Sequence, residues 1–162
     1  MLMVSLLQVF NKNGRLIIRD GVIPENNQTY IFKLPNKNDQ KFLVKYLSAG
    51  PFKNTSSAVK IVKIKDNYYR AKYRDIMEFL YTLTWGWGSF EREHQEIYGV
   101  YTRKEYINKL EKIGYNILFQ EEYLQYGYIE NLDQRVTILG YEGEKIPLPN
   151  SNMIIVAEKT GA

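Results

Sequence analysis

The chain has 162 residues, 44% hydrophobic and 25% charged, with a net charge of +4, one histidine and no cysteine. That length and balance predict a single domain, residues 1–162, with a real core. They exclude disulfides, thiol chemistry and a structural zinc site, which needs several His or Cys ligands, and a cysteine-free chain suits the reducing cytoplasm expected for it.

Residues 1–10 are apolar but lack a basic leader and a small-residue cleavage site, so no signal peptide is expected. No apolar run approaches the roughly 20 residues of a membrane span, and no membrane partner is expected. Residues 5–10, Ser-Leu-Leu-Gln-Val-Phe, read as the last turns of a helix, with residues 11–14 as its exit. Gly14 can take backbone angles that end an element sharply. Leu16, Ile17 and Ile18 form a run too short for a helix and too continuous for a half-exposed strand. That pattern predicts a strand buried on both faces, as in a parallel sheet with covering layers. Asp20-Gly21 then falls at the strand's carboxyl end, where open α/β sheets place their ligands. Asp20 could equally cap the loop that follows.

Residues 24–28 read as loop. Residues 37–47 carry Phe42, Leu43, Tyr46 and Leu47 at helical spacing, and Gly50-Pro51 ends that helix. Residues 33–74 hold eleven Lys and Arg against two acids, Asp39 and Asp66, a local charge of +9. Tyr46, Phe52, Tyr68, Tyr69 and Tyr73 are interleaved with those charges, as on a surface that stacks bases and neutralises phosphates. The alternative is a solvated lysine-rich face whose tyrosines belong to the core.

Residues 59–65 alternate apolar with Lys60, Lys63 and Lys65. Asp66-Asn67 is a two-residue turn, and Tyr69, Ala71 and Tyr73 alternate on the return, so a β-hairpin is expected. One face would present basic side chains from Lys63, Lys65, Arg70 and Lys72, depending on register. Asp75-x-x-Glu78 resembles a capping box before the stripe Ile76, Phe79, Leu80 and Leu83, a helix ending near Trp85-Gly86-Trp87-Gly88. Residues 89–100 read as irregular and carry Glu91, Glu93, His94, Glu96 and Tyr98. Thr102-x-x-Glu105 is a second capping box, opening a helix closed by Gly114. Residues 115–119 form a strand that runs on irregularly to Tyr128. Residues 136–139 and 145–148 flank Glu142-Gly143 and could pair. Residues 153–157 form a last buried strand.

His94 lies among three glutamates, which would hold an imidazole in place and raise its pKa, as a general base requires. The same pattern also describes a surface histidine in a solvated acidic stretch. Trp85 and Trp87 could stack on a substrate ring or complete a core. Tyr126 and Tyr128 carry the same alternatives. There is no Gly-x-Ser-x-Gly elbow, P-loop or His-Glu-x-x-His, and no metal site is expected.

Asn13-Gly14, the apolar run and Asp20-Gly21 resemble the fifth strand of class I S-adenosylmethionine-dependent methyltransferases. The order of helix, strand 115–119 and strand 153–159 (Met-Ile-Ile-Val-Ala-Glu-Lys) resembles that family's final helix and last two strands. Residues 79–86 and 123–128 further resemble a bacterial, uncharacterised subgroup of it. The resemblance implies an α/β fold with a partial Rossmann-like sheet, its strands equivalent to the fifth, seventh and sixth. Residues 1–32 and 101–162 would form this partial core. Residues 33–100, with a helix and the basic hairpin, would be an inserted, lid-like substrate region. The Gly-rich loop after the family's first strand is missing, and Gly86-Trp87-Gly88 does not supply it.

The chain therefore resembles a carboxyl-terminal half. By resemblance it would recognise substrate, and S-adenosylmethionine would bind only once a partner or an amino-terminal half completed the site. Substrate candidates are Asp20, Trp85, Trp87, His94, Tyr98 and Tyr128. Anion-binding candidates are Lys60, Lys63, Lys65, Arg70, Lys72 and Arg74. Without a fourth strand, Leu16 to Arg19 would be an open edge, and such edges pair with other chains. A homodimer or a separate amino-terminal half is the expected partner there, with RNA or another anion as possible substrate. A cofactor-free module gripping RNA or another polyanion is the alternative function.

Overall fold

The computed structural model describes residues 14–49 and 58–160. The first half contains β1 (Arg15–Gly21), β2 (Thr29–Lys33), α1 (Lys37–Ala49), β3 (Ile61–Lys65), β4 (Tyr68–Lys72) and α2 (Tyr73–Trp85). A 3-10 turn (Trp87–Ser89), the short α3 (Phe90–Glu93) and α4 (Arg103–Lys112) follow. Then come β5 (Tyr115–Tyr123), α5 (Tyr126–Leu132), β6 (Thr137–Leu139), β7 (Lys145–Ile146) and β8 (Asn152–Lys159). The fold is mixed α/β with two antiparallel sheets. The helix expected over residues 5–10 and the Gly50-Pro51 stop lie outside the described residues.

The first sheet has the order β1-β8-β5, with β8 antiparallel to both neighbours. β1 and β5 therefore run parallel to each other on either side of β8. Its buried face carries Leu16, Ile18, Met153, Ile155 and Ala157, packed against Tyr106 and Leu110 of α4. The strand expected at Leu16 to Ile18 to be parallel and doubly covered is instead paired antiparallel to β8 and covered on one face. β1 alternates, with Ile17 68% exposed. The three apolar residues are consecutive because the outward position is also apolar, not because a second layer covers it. Ile17 lies opposite Val156, which faces Phe119, so the outer face is apolar too. Among the described residues β1 pairs only with β8, and its other edge is open.

The second sheet has the order β3-β4-β2-β6-β7, and every ladder is antiparallel. It draws on residues 29–33 and 137–146 from either side of residues 33–100. β2 was not anticipated: Tyr30, Ile31 and Phe32 are all apolar and show no alternation. The hairpin turns at Asp66, which takes φ +34°, as its sequence predicted. α1 and α2 cover one face, where Phe32, Phe42, Leu43, Tyr46, Ile76, Phe79 and Leu83 are fully buried.

α2 starts at Tyr73, earlier than expected, and its cap position, Lys72, makes no side-chain bond. The Tyr73 ring is buried and its hydroxyl donates to the Pro147 carbonyl at 2.9 Å, so the helix begins directly as the chain leaves β4. Glu78 is consequently not a capping partner. α4 opens as predicted. Thr102 Oγ1 accepts from the Glu105 N–H at 3.1 Å, and Glu105 Oε2 accepts from the Thr102 N–H at 2.8 Å. Thr102→Ala is expected to cost about 1 kcal/mol in urea unfolding. The stretch after Phe119, expected to be irregular up to Tyr128, instead contains the second half of β5, to Tyr123, and the start of α5.

All connecting structure leaves the first sheet at one end. Residues 22–102 depart from the carboxyl end of β1 and residues 124–151 from that of β5, where Gly21, Asn152 and Tyr123 lie side by side. Among the described residues no helix is long and apolar enough to cross a membrane.

Candidate functional site at the carboxyl ends of β1 and β5

α2 is buried nearly all round from Ile76 to Leu83. Phe79 and Leu83 enter the second sheet's core, while Tyr81 turns toward the first sheet. Its hydroxyl donates to the Ser151 carbonyl, just before β8, with the Val22 carbonyl 3.5 Å away. Ser151 is itself buried; its Oγ accepts from the Gln125 N–H at 2.9 Å and donates to Asn152 Oδ1 at 2.7 Å. Tyr81 thus fastens the two sheets at the end where the strands of the first one open.

Two rings enclose it. Tyr98 stacks on Tyr81 with centroids 5.3 Å apart, and Tyr128 meets it edge-on at 4.9 Å. Carboxylates surround the rings. The Tyr98 hydroxyl donates to buried Glu93, which also accepts from Arg92 Nε at 2.6 Å. Buried Glu78 accepts from the Tyr98 N–H at 3.1 Å and the Gly99 N–H at 2.7 Å. Asp20 Oδ2 accepts from the Tyr106 hydroxyl at 2.8 Å. Gly21 makes this assembly possible, because a side chain there would overlap the Tyr98 carbonyl.

Burial raises the Glu78 carboxyl above the usual glutamate range, against the pull of its two backbone donors. Burial also raises the phenols of Tyr81, Tyr98 and Tyr106, and pushes Tyr128 up to about 12. The Glu93 bond adds to the shift of Tyr98 and the Asp20 bond to that of Tyr106. These phenols stay protonated at neutral pH and act as hydrogen-bond donors, not as bases. The constellation can orient a bound group; it contains no activated nucleophile.

Behind Tyr81 and Tyr128 a cavity of about 10 Å³ is bounded by Leu124, Leu148 and Ser151. It adjoins, at Leu124 and Leu148, an apolar groove of about 430 Å³ between α5 and β6–β7, with Asp133 and Lys145 on its lining. The groove has the size of a small-molecule site.

Asp20, Tyr98 and Tyr128 are thus brought together around Tyr81, a residue the sequence reading passed over. Its signal was the i, i+4 pair Met77 and Tyr81, a second face beside the main stripe. Trp85 and Trp87 stand apart, 51% and 48% exposed. Trp87 packs edge-on against Phe42 at 5.0 Å. His94 is 7% exposed, so it is not a solvated surface histidine. It lies flat on Phe90 at 4.7 Å, and its Nδ1 is 2.6 Å from the Phe90 carbonyl, which places a proton on that nitrogen. Glu91 pairs with Lys45 instead.

The six basic candidates also separate. Lys65, Arg70 and Lys72 share the uncovered face of the second sheet. Lys63 points to the other face, opposite Tyr69, and rims a groove with Lys37 and Lys41. Lys60 and Arg74, together with Lys72, lie near Asp75, where they partly offset the upward push of burial on that carboxyl.

Comparison with family models, curated proteins and solved structures finds no match.

Proposed function

We propose that the chain is the acceptor-binding, carboxyl-terminal part of a class I S-adenosylmethionine-dependent methyltransferase. On this reading β1, β8 and β5 correspond to the fifth, seventh and sixth strands of a Rossmann-like sheet. The observation that carries it is the order β1-β8-β5, with β8 reversed between two parallel strands and α4 on the connection from β1 to β5. A second support is that every inserted segment leaves from the carboxyl ends of the parallel pair, where α/β sheets hold ligands.

The acceptor would occupy the groove beside Leu124 and Leu148, its polar end turned toward Tyr98, Tyr128 and Asp20. These residues would orient the acceptor and exclude water, since methyl transfer depends chiefly on holding the two reactants in line. S-adenosylmethionine supplies the methyl group once an amino-terminal half completes the site; the chain alone is not expected to bind it.

The completing half, or a second copy of the chain, would pair along the open edge of β1. Ile17→Lys is expected to abolish that association and leave far-UV circular dichroism unchanged, because Ile17 points to solvent. Sedimentation equilibrium reads the result.

Calorimetric titration with S-adenosylmethionine tests the proposal. The chain alone should show no saturable binding. The chain joined in frame to upstream coding sequence that specifies a Gly-rich strand–turn–helix should bind at micromolar concentration. Saturable binding by the chain alone, or none by the joined protein, overturns the reading.

A further inference from the structure

The geometry points to a single-stranded nucleic-acid site on the uncovered face of the second sheet, independent of the methyltransferase reading. Cross-strand partners settle which side chains share that face. Lys65, Tyr68, Lys33 and Thr137 form one row across β3, β4, β2 and β6. Val62, Arg70, Ile31, Leu139 and Lys145 form the next row, and Lys72 with Thr29 a third. Rows of this kind are about 7 Å apart along the strands, and neighbours within a row about 5 Å. The opposite face is closed by α1 and α2.

Charge on this face has one sign. Lys33, Lys65, Arg70, Lys72 and Lys145 lie on it, and no Asp or Glu occupies any of these positions. Among the described residues none of the five forms an ion pair. Five cations over apolar strands, of which Lys72 also offsets Asp75 at the start of α2, favour a polyanion laid across the sheet. Tyr68 stands in the first row with the Lys33 and Lys65 ammonium groups 5.5 and 5.4 Å from its ring centre. The two ammonium groups lie over the Tyr68 ring, and as they turn outward to phosphates a base takes their place on its face. A duplex would present its bases edge-on inside a groove, so the ring would find no base face. An unpaired strand exposes one.

The test is fluorescence anisotropy of the whole chain with labelled oligouridylate and oligothymidylate of about 12 nucleotides, over a salt series. Log affinity should fall linearly with log salt. Lys33→Ala, Lys65→Ala and Arg70→Ala should each flatten the slope by about 0.7. Tyr68→Ala should weaken binding about 5- to 100-fold, and Tyr68→Phe should retain it. Arg70 is solvent-exposed, so Arg70→Ala keeps the test sound where Tyr68→Ala unfolds, as circular dichroism would reveal. Lys112→Ala, on α4, should change nothing. Binding of either polymer in this pattern supports the site, and their ratio tells RNA from DNA. No binding, salt-independent binding, indifference to Arg70→Ala and Lys65→Ala together, or capture of phosphatidylserine vesicles without oligonucleotide overturns it.

Discussion

Arg135→Ala is expected to destabilise the fold by about 3–5 kcal/mol, the largest loss among the substitutions considered. Asp39 sits in the first turn of α1, where the helix dipole favours an acid. Its side chain is nevertheless 7% exposed. Arg135 makes that burial tolerable through two parallel bonds, Nη2 to Oδ1 at 2.7 Å and Nε to Oδ2 at 3.0 Å. Nη1 also lies 3.4 Å from the Leu83 carbonyl near the end of α2. One guanidinium therefore ties α1, α2 and the turn after α5 together. Alanine leaves the carboxylate desolvated and alone. Arg135→Lys should recover little, because an ammonium cannot reproduce the fork. Combining Arg135→Met with Asp39→Leu should restore much of the loss, since it removes the stranded charge as well. Urea unfolding of the wild type, Arg135→Met, Asp39→Leu and the double variant gives the coupling directly. A loss below about 1 kcal/mol would mean the pair behaves like a solvent-exposed one.

Glu78→Ala is expected to cost about 2–4 kcal/mol, because it leaves the Tyr98 and Gly99 N–H groups buried without an acceptor. The pH dependence carries a sign of its own. Burial raises the folded-state carboxyl above its ordinary value of 4.5, so between the two values the native protein holds more protons than the unfolded chain. Stability from this group is full below that ordinary value and declines as pH rises through the raised one. The wild-type protein should therefore lose stability across that window, and Glu78→Ala should lack this component. Urea midpoints collected from acid to neutral pH separate the two effects. Equal slopes in both proteins would show that Glu78 titrates normally.

Local chemistry was readable before the fold was known. The Thr102–Glu105 box, the Asp66 turn and the closing Gly114 depend on residues within four positions of one another, and all three appear where expected. The second box failed for a non-local reason: Glu78 is taken by backbone donors 20 and 21 residues away. β2 escaped notice because its outward residue, Ile31, is as apolar as the inward Tyr30 and Phe32. α5 carries a glycine at position 127 and buries only Leu132 fully, so packing of Tyr128 on Tyr81 must sustain what its propensity does not. The site shows the same division. Asp20, Tyr98 and Tyr128 could be listed from residue type, but the ring that joins them sits in the middle of a helix with no distinguishing motif.

The bulge in β5 between Ile117 and Phe119 gives the first sheet two unequal flanks. A bulge bends and overtwists its strand, which spoils it as a template for further ladders. β1 has a regular register along its whole length. The pairing proposed along β1 would therefore be steered to one flank and stop after a single addition, extending this layer into a finite complex and not into a fibre.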